Sequence, residues 1–473
     1  MLFSPGTQRR RLQLRISERR LLLMAGDTLS VAIAVFVALF IWSQVADESF
    51  TIDFILPQSY LFFVLMFLWL LLAGANDFYA LSLASRRGAS LVRLVIITSQ
   101  MLVIYFLIFF LSPRDALPRL FIIYYAGVSF SLIGLWRVAN PALIGWASDA
   151  RRVLIVGSDE AAKTIIAALN EYGRDAYEIH GIIGEESQIS QVIDGIPVIG
   201  SGSDLLNFVF RDDIKEIVFT YTPDLSGDIF RSLMQSYERG VVLTPMPLLY
   251  ERLTGRVPVE HVKRDWALVL PIEGNTLFDV YPILSWLINT LLALIGFIVF
   301  LVLLPIIALV IRLDSKGGVF YTQHRVGLNG RDFQIIKFRT MVKNAEGKTG
   351  AVFSQKNDSR ITRIGRFMRK TRLDELPQVI NILRGDMSLI GPRPERPEHV
   401  TRFTEKIPFY RTRLVVRPGL TGWAQVKYNY GANDHDALVK LEYDLYYIRH
   451  QSLLLDFSII IRTIGRVIRM SGV

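Results

Sequence analysis

The run VYPILSWLINTLLALIGFIVFLVLLPIIALVI, Val280 to Ile311, carries no charged residue over 32 positions. As one straight helix it would extend about 48 Å at 1.5 Å per residue, well beyond a hydrocarbon core of roughly 30 Å. Pro305 lies inside it, where it removes a helix hydrogen bond and crowds the preceding turn, so a kink is expected there. Lys263 and Arg264 precede the run, and Arg312, Lys316 and Arg325 follow it. Basic residues resist translocation, so both ends read as cytoplasmic. A helix over about 280–311 that enters the membrane and returns satisfies length and charge together, with the backbone groups freed near Pro305 partnered by protein. An ordinary fifth span is the alternative, and it would send the basic C-terminal region to the other side.

Working outward toward the N-terminus, four more apolar segments stand at about Leu21–Val45, Pro57–Ala75, Leu91–Leu111 and Leu120–Leu135. Each can approach or cross a bilayer core, which takes about 20 helical residues. The first is too long for a signal peptide and lacks a small-residue cleavage site. Arg9, Arg10, Arg11, Arg15, Arg19 and Arg20 precede the first segment, and Arg86, Arg87 and Arg93 lie between the second and third. The loop DESFTID after the first is acidic, and only Arg114 and Arg119 break the pattern. Both termini of this four-helix unit are therefore expected on the cytoplasmic side.

Composition agrees: 51% of residues are hydrophobic and the mean hydropathy is +0.35. Runs this apolar need lipid to cover them. The net charge of +10 borders apolar runs or crowds the Asp374 region, and no nucleic-acid motif is present, so anionic headgroups and phosphorylated substrates are the expected partners rather than nucleic acid. Zero cysteines exclude disulfides, thiolate catalysis and Cys-based metal sites.

From Arg151, VLIVGSDEAAKTIIAAL reads as a buried strand, a glycine turn and a helix, with further strands at EIVFTY and VVLTPM. Alternating strands and helices imply a parallel sheet. After Gly157 the next two glycine positions of a dinucleotide loop hold Asp159 and Ala162. A carboxylate where backbone should meet a pyrophosphate argues against a dinucleotide, so a degenerate Rossmann-like domain with a structural or regulatory role is expected.

Past Arg312 the chain turns polar and basic. Asn329-Gly330 between two strand-like runs is a hairpin signature, and Lys337 and Arg339, two apart, are expected on one face of the second strand. Arg360, Arg363, Arg366, Arg369, Lys370 and Arg372 recur at near-helical spacing. Leu376, Val379, Ile380 and Leu383 then form an apolar stripe that stops before Gly385, which predicts one amphipathic helix with a glycine end. Pro377 belongs in its first turn, which places Asp374 and Glu375 at the helix N-terminus, where negative charge is favoured. A capping role for Asp374 is the simplest reading. Two adjacent carboxylates repel, however, and holding them beside several arginines is better explained by a cation or phosphate bound between them. The GPRP turn, Gly391 to Pro394, presents Arg393 as a fork for phosphate oxygens.

KFRTM (Lys337 to Met341), DELPQ (Asp374 to Gln378), RGDMS (Arg384 to Ser388), GPRP and RPGLTGWAQV (Arg417 to Val426) together resemble the bacterial sugar transferase family, the polyprenyl-phosphate hexose-1-phosphate transferases. The likeness covers roughly 279–473, and the upstream spans and Rossmann-like part resemble the long members. The resemblance implies a domain plan of four transmembrane helices over 1–145, a degenerate Rossmann-like cytoplasmic domain over 150–270, and a re-entrant helix with a mainly helical α/β catalytic domain over 279–473. It implies transfer of hexose-1-phosphate from a UDP-hexose to undecaprenyl phosphate with release of UMP, at the bacterial inner membrane, as an initiating step of exopolysaccharide, capsule or O-antigen synthesis. Asp374 matches the family nucleophile and Glu375 the Mg²⁺-associated carboxylate, while Lys337, Arg369 and Arg393 match positions near the phosphates, with Arg339 grouped beside them. Leu304-Pro305 matches the helix-breaking step of the family, with leucine where many relatives have serine. Membrane lipids are expected partners, and a homodimer the expected assembly.

A direct displacement, with both carboxylates holding metal, is the mechanistic alternative. A membrane-bound nucleotide-sugar dehydratase would need an intact glycine fingerprint and a Tyr-x-x-x-Lys pair, and no tyrosine here has lysine four residues later. A non-enzymatic membrane scaffold gives no reason for Asp374, Glu375, Arg369 and Arg393 to converge.

Overall fold

The computed structural model describes residues 16–79, 81–84, 87–111, 120–143, 150–174, 176–220, 227–261, 280–342, 358, 360–428 and 433–468. Arg9, Arg10, Arg11, Arg15, Arg86, Arg114, Arg119, Lys263 and Arg264, on which the orientation argument leaned, lie outside them. By packing, the chain forms two units, Met1–Val153 with Asn170–His180, and Leu154–Leu169 with Gly181–Val473.

The first unit holds helices α1 (Ile16–Val45), α2 (Tyr60–Ala75), α3 (Arg87–Leu111) and α4 (Phe121–Leu143). Three contain spans long and apolar enough to cross a membrane, Leu21–Val45, Arg87–Phe110 and Phe121–Ala139, and α2 reaches that length together with Ile52–Gln58, bent from it by 44°. One buried ion pair ties the first and last helices: Arg137 Nε donates to Asp27 Oδ1 at 3.3 Å, its NH1 to the Phe78 carbonyl at 3.2 Å, and its guanidinium lies 3.9 Å from the Phe78 ring centre. A charge in so apolar a bundle persists because it is paired.

Next in the chain comes a six-stranded sheet: β1 (Arg151–Val156), β2 (Tyr177–Ile183), β3 (Val192–Ile193), β4 (Ile196–Gly200), β5 (Glu216–Phe219) and β6 (Val242–Pro245), ordered β3-β4-β2-β1-β5-β6. β2 and β4 pair in parallel, as do β5 and β6, while β3 forms an antiparallel edge. After β1 the chain turns at Gly157 (φ +112°), where a Cβ would fall 1.8 Å from Thr220 Oγ1. Helix α5 (Glu160–Ala168) follows, capped by Asp159, which accepts from the Ala162 amide at 3.2 Å. The chain's own carboxylate therefore takes the place an anion would occupy at that helix end.

Helix α6 (Tyr281–Asp314) runs through Pro305 without a break. Leu304 and Ile307 on either side of the proline pack with Phe300 and Ile311 against Phe338, Met368 and Val379. One folded domain holds the helix along its whole length. Tyr281 OH donates to Asp456 at 3.0 Å, Asn289 Oδ1 accepts from the Leu389 amide at 2.6 Å, and Asp314 accepts from the Ile364 amide at 3.1 Å. The opposite face is bare and apolar, with Ile283, Trp286, Ile298, Val302, Ile306 and Leu309 all exposed.

The C-terminal domain begins with the antiparallel hairpin β7 (Phe320–Val326) and β8 (Asp332–Phe338). Its turn holds Asn329 and Gly330 at φ +54° and +77°, the left-handed pair that an Asn-Gly step accommodates. Helix α7 (Arg363–Thr371) is capped by Thr362, and a Cβ on its Gly365 would meet the Thr340 carbonyl at 2.1 Å, which is how closely helix and hairpin approach. The core of the domain gathers on α8 (Asp434–Arg449), where Leu441, Leu445 and Ile448 are buried. The last helix, α9 (Leu453–Ile468), is docked on the domain. Ile459 is fully buried, Asp456 accepts from Tyr281 and Tyr447, and Arg466 donates to the Val426 carbonyl at 3.1 Å.

Candidate active site

Helix α7 ends at Arg372, whose left-handed φ of +60° swings the chain into a 3₁₀ turn over Leu373–Gln378. The α-helix itself starts only at Val379 and stops at Arg384, closed by Gly385 at φ +84°. The single amphipathic helix expected from the apolar stripe is thus split, since Pro377 donates no hydrogen bond and the tighter turn absorbs it. Asn381, fully buried on the same short helix, staples it to β8: it accepts from the Ile336 amide at 3.1 Å and donates to the Gln334 carbonyl at 2.8 Å. This pairing sets Lys337 beside the carboxylates.

Asp374 and Glu375 are both buried, but their surroundings differ. Glu375 Oε1 meets Arg393 at 2.8 Å and Lys337 at 3.3 Å, and its Oε2 meets Arg372 at 3.5 Å. Burial works against its charge, yet Arg393, Lys337 and Arg372 together outweigh this and hold its carboxyl well below the usual glutamate range. Among the described residues Asp374 has no hydrogen-bond or ion-pair partner. Burial pushes its carboxyl up to about 6, with the charge of Glu375 adding to the rise and Lys337, Arg369 and Arg372 opposing it. Lys337 in turn is lowered by burial, against the pull of Glu375.

Arg369 leans on the hairpin, its Nε donating to Thr340 Oγ1 at 2.9 Å. Arg339 departs from expectation. Its guanidinium donates to the carbonyls of Lys316 at 2.6 Å and Ser315 at 2.7 Å, with Ile311 at 3.5 Å. It closes the end of α6, where the last carbonyls lack helical partners. Residue 339 lies one past the end of β8, so the period-two reading no longer applies to it.

The GPRP turn is braced by β9 (Ser388–Ile390) and β10 (Gly419–Thr421), which pair in parallel. Gly391 is packed too tightly for a side chain, as a Cβ would fall 2.4 Å from the Arg417 carbonyl. Gly391→Ala is expected to lower stability by about 1–3 kcal/mol and to cut activity by shifting Arg393. A thermal melt of the purified variant alongside a turnover assay checks both. Beneath the turn lies a buried group that the sequence reading missed. Arg413 pairs with Asp444 at 2.7 Å, donates to Tyr410 OH at 2.8 Å and holds the Arg393 carbonyl at 3.1 Å. A cleft of about 250 Å³, part of it open to solvent, borders this group and is lined by Gly327, Pro392, Arg393, Glu395, Arg413 and Pro418.

Residues 280–470 match the bacterial sugar transferase family, and residues 74–241 match a family described as a CoA-binding domain. A UDP-N-acetylgalactosamine-undecaprenyl-phosphate N-acetylgalactosaminephosphotransferase of Aeromonas hydrophila is 42% identical over 250 residues, 53% of this chain and 57% of that protein. A UDP-glucose:undecaprenyl-phosphate glucose-1-phosphate transferase of Xanthomonas campestris pv. campestris is 32% identical over 377 residues, 72% of this chain and 74% of that one. One of the same description from Klebsiella pneumoniae is 29% identical over 446 residues, 91% and 92% of the two chains. With the carboxylate pair, the cations around it and this extent of likeness, the chain belongs to the bacterial sugar transferase family of enzymes, in its long, membrane-spanning form.

Proposed function

We propose that this enzyme transfers hexose-1-phosphate from a UDP-hexose to undecaprenyl phosphate by way of a covalent intermediate on Asp374. The observation that carries the reading is the asymmetry of the pair: Glu375 is engaged by Lys337, Arg372 and Arg393, while Asp374 stands unpartnered in the same cationic field. An Asp374 oxygen attacks the phosphorus that bears the sugar, and the bond to the bridging oxygen breaks so that UMP leaves with that electron pair. An oxygen of undecaprenyl phosphate then attacks the same phosphorus, the carboxylate departs and a sugar diphospholipid forms. Splitting the transfer lets a soluble donor and a lipid acceptor use one site in turn. Arg393, Lys337 and Arg369 neutralise the charge that spreads over the phosphoryl oxygens.

Among the described residues no group of three acidic or histidine side chains is arranged to hold a metal. Mg²⁺ asks for less, since it keeps several waters and binds through one or two carboxylates plus substrate phosphates. The Asp374 carboxylate is unpartnered among the described residues, and Glu375 Oε2 has only the 3.5 Å contact to Arg372, so these two fit an ion that arrives with the diphosphate. When bound it would add positive charge where the leaving phosphate gathers negative charge.

Both ends of α6 are held by one domain, and its free face is continuously apolar. This supports a helix that dips into the cytoplasmic leaflet of the inner membrane and returns, with the catalytic domain on the cytoplasmic side. Two chains per assembly complete the proposal, and the mass of the detergent-solubilised protein tests that part. The relatives' names differ in the sugar, so the donor is assigned as a UDP-hexose and identified by assay.

The test is UMP release from a panel of UDP-sugars by purified protein with Mg²⁺. A stoichiometric burst without lipid acceptor supports the covalent route, and release only when undecaprenyl phosphate is present supports direct displacement. Because Asp374 attacks as a carboxylate and its carboxyl is raised to about 6, the burst rate is expected to climb as pH rises through about 6 and level off above it. A profile flat from pH 5 to 8 would count against Asp374 as the attacking group.

A further inference from the structure

Arg393 is reached by two routes from the Rossmann-like part of the chain, one through Gln425 and one through Arg413. Its NH2 meets Glu375, while its NH1 donates to Gln425 Oε1 at 3.3 Å. Gln425 belongs to the short helix Trp423–Lys427. Its own Nε2 is buried and has no hydrogen-bond partner among the described residues. Turning the amide over would set that nitrogen against the guanidinium, donor against donor, so Arg393 dictates the orientation even though a buried donor is left unmet.

The short helix is anchored from outside the catalytic domain. Trp423 Nε1 donates to the Gly255 carbonyl at 3.1 Å, and Gly255, at φ +68°, ends the helix Met246–Thr254 that follows β6. The same strap grips α8: Glu251 meets Arg449 at 3.1 Å and His450 at 2.6 Å, and the Val257 amide donates to the Glu442 carbonyl at 3.2 Å. Two residues on, α8 carries Asp444, which holds Arg413 against the Arg393 carbonyl. One route reaches the side chain of Arg393 and the other its main chain.

We propose that Gln425 is a positioning residue for Arg393, and that the strap around Gly255, by holding Trp423, sets where Gln425 stands. The inference rests on the transfer reaction proposed above. Gln425→Met keeps the length of the side chain and removes the unmet donor, so thermal stability is expected to hold or rise. Turnover is expected to fall roughly ten- to a hundredfold, the usual scale for a catalytic group displaced by about 1 Å, with KM for the UDP-hexose little changed. Gln425→Glu keeps an acceptor for the guanidinium and is expected to retain most of the turnover. In an Arg393→Ala background Gln425→Met is expected to cost nothing further, because the group it positions is gone. Trp423→Phe, which keeps a ring but loses the bond to Gly255, is expected to reduce turnover, and less than multiplicatively when combined with Gln425→Met. Wild-type turnover is the control: its absence would undo the underlying reaction, not this inference. Full kcat in Gln425→Met, or an equal loss with and without Arg393, would overturn the positioning role. Multiplicative losses for Trp423→Phe and Gln425→Met would overturn the strap.

Discussion

Asp374→Asn is expected to abolish UMP release, by on the order of 10⁴-fold or more, in a protein at least as stable as the parent. The amide keeps the shape of the side chain but cannot attack phosphorus. Activity and stability part company because the Asp374 carboxyl is raised to about 6 from its ordinary 3.8. The native state therefore holds this proton more tightly than the unfolded chain does, and stability declines as pH rises from about 4 through about 6. Asparagine has no such charge to bury. Its stability advantage is expected to be absent below pH 4 and complete above pH 6, which thermal melts of both proteins across that range measure. Residual release near the wild-type rate would show that another group attacks. A lower melting point at neutral pH would show that the Asp374 charge is compensated in the folded protein.

Glu375→Ala is expected to damage both properties. It strips one acceptor from Lys337, Arg372 and Arg393 at once and leaves like charges facing one another in a buried site. Removing one partner of a buried ion pair costs about 3–5 kcal/mol, and the loss should be visible as an earlier melt at neutral pH. Here the sign runs opposite to Asp374. A glutamate held below its ordinary 4.5 contributes stability that is present above that pH and lost as pH falls beneath it, so the difference between variant and parent should be full from pH 5 to 8 and narrow only in strong acid. Activity should also fall, since Arg393 loses one of the contacts that aim it. A variant that melts with the parent would mean that the three cations find other partners, and that Glu375 is not the hub of the site.

The apolar segments, the hairpin turn, the Rossmann-like alternation and the motifs around Asp374 were legible because each depends on local chemistry. An apolar run long enough to need lipid, an Asn-Gly step that tolerates positive φ, and a stripe at helical spacing act over a few residues and carry their meaning wherever they stand. Even there the reach was short. Pro377 split the helix that the stripe implied, while the helix through Pro305 continues, with Leu304 and Ile307 packed against residues far away in the chain.

The sequence by itself determined that this chain meets a membrane, that Asp374 and Glu375 sit among cations, and which family the motifs resemble. Only the tertiary structure decided which carboxylate is engaged and which is free, that Arg339 closes a helix while Arg393 reaches the site, and that Gly255 is tied to Trp423 across 168 positions of sequence. The reason is physical. Every arginine reads alike along the chain, and a buried charge takes whatever partner packing places within about 3 Å, so the division of roles follows from long-range contacts that no local spacing encodes.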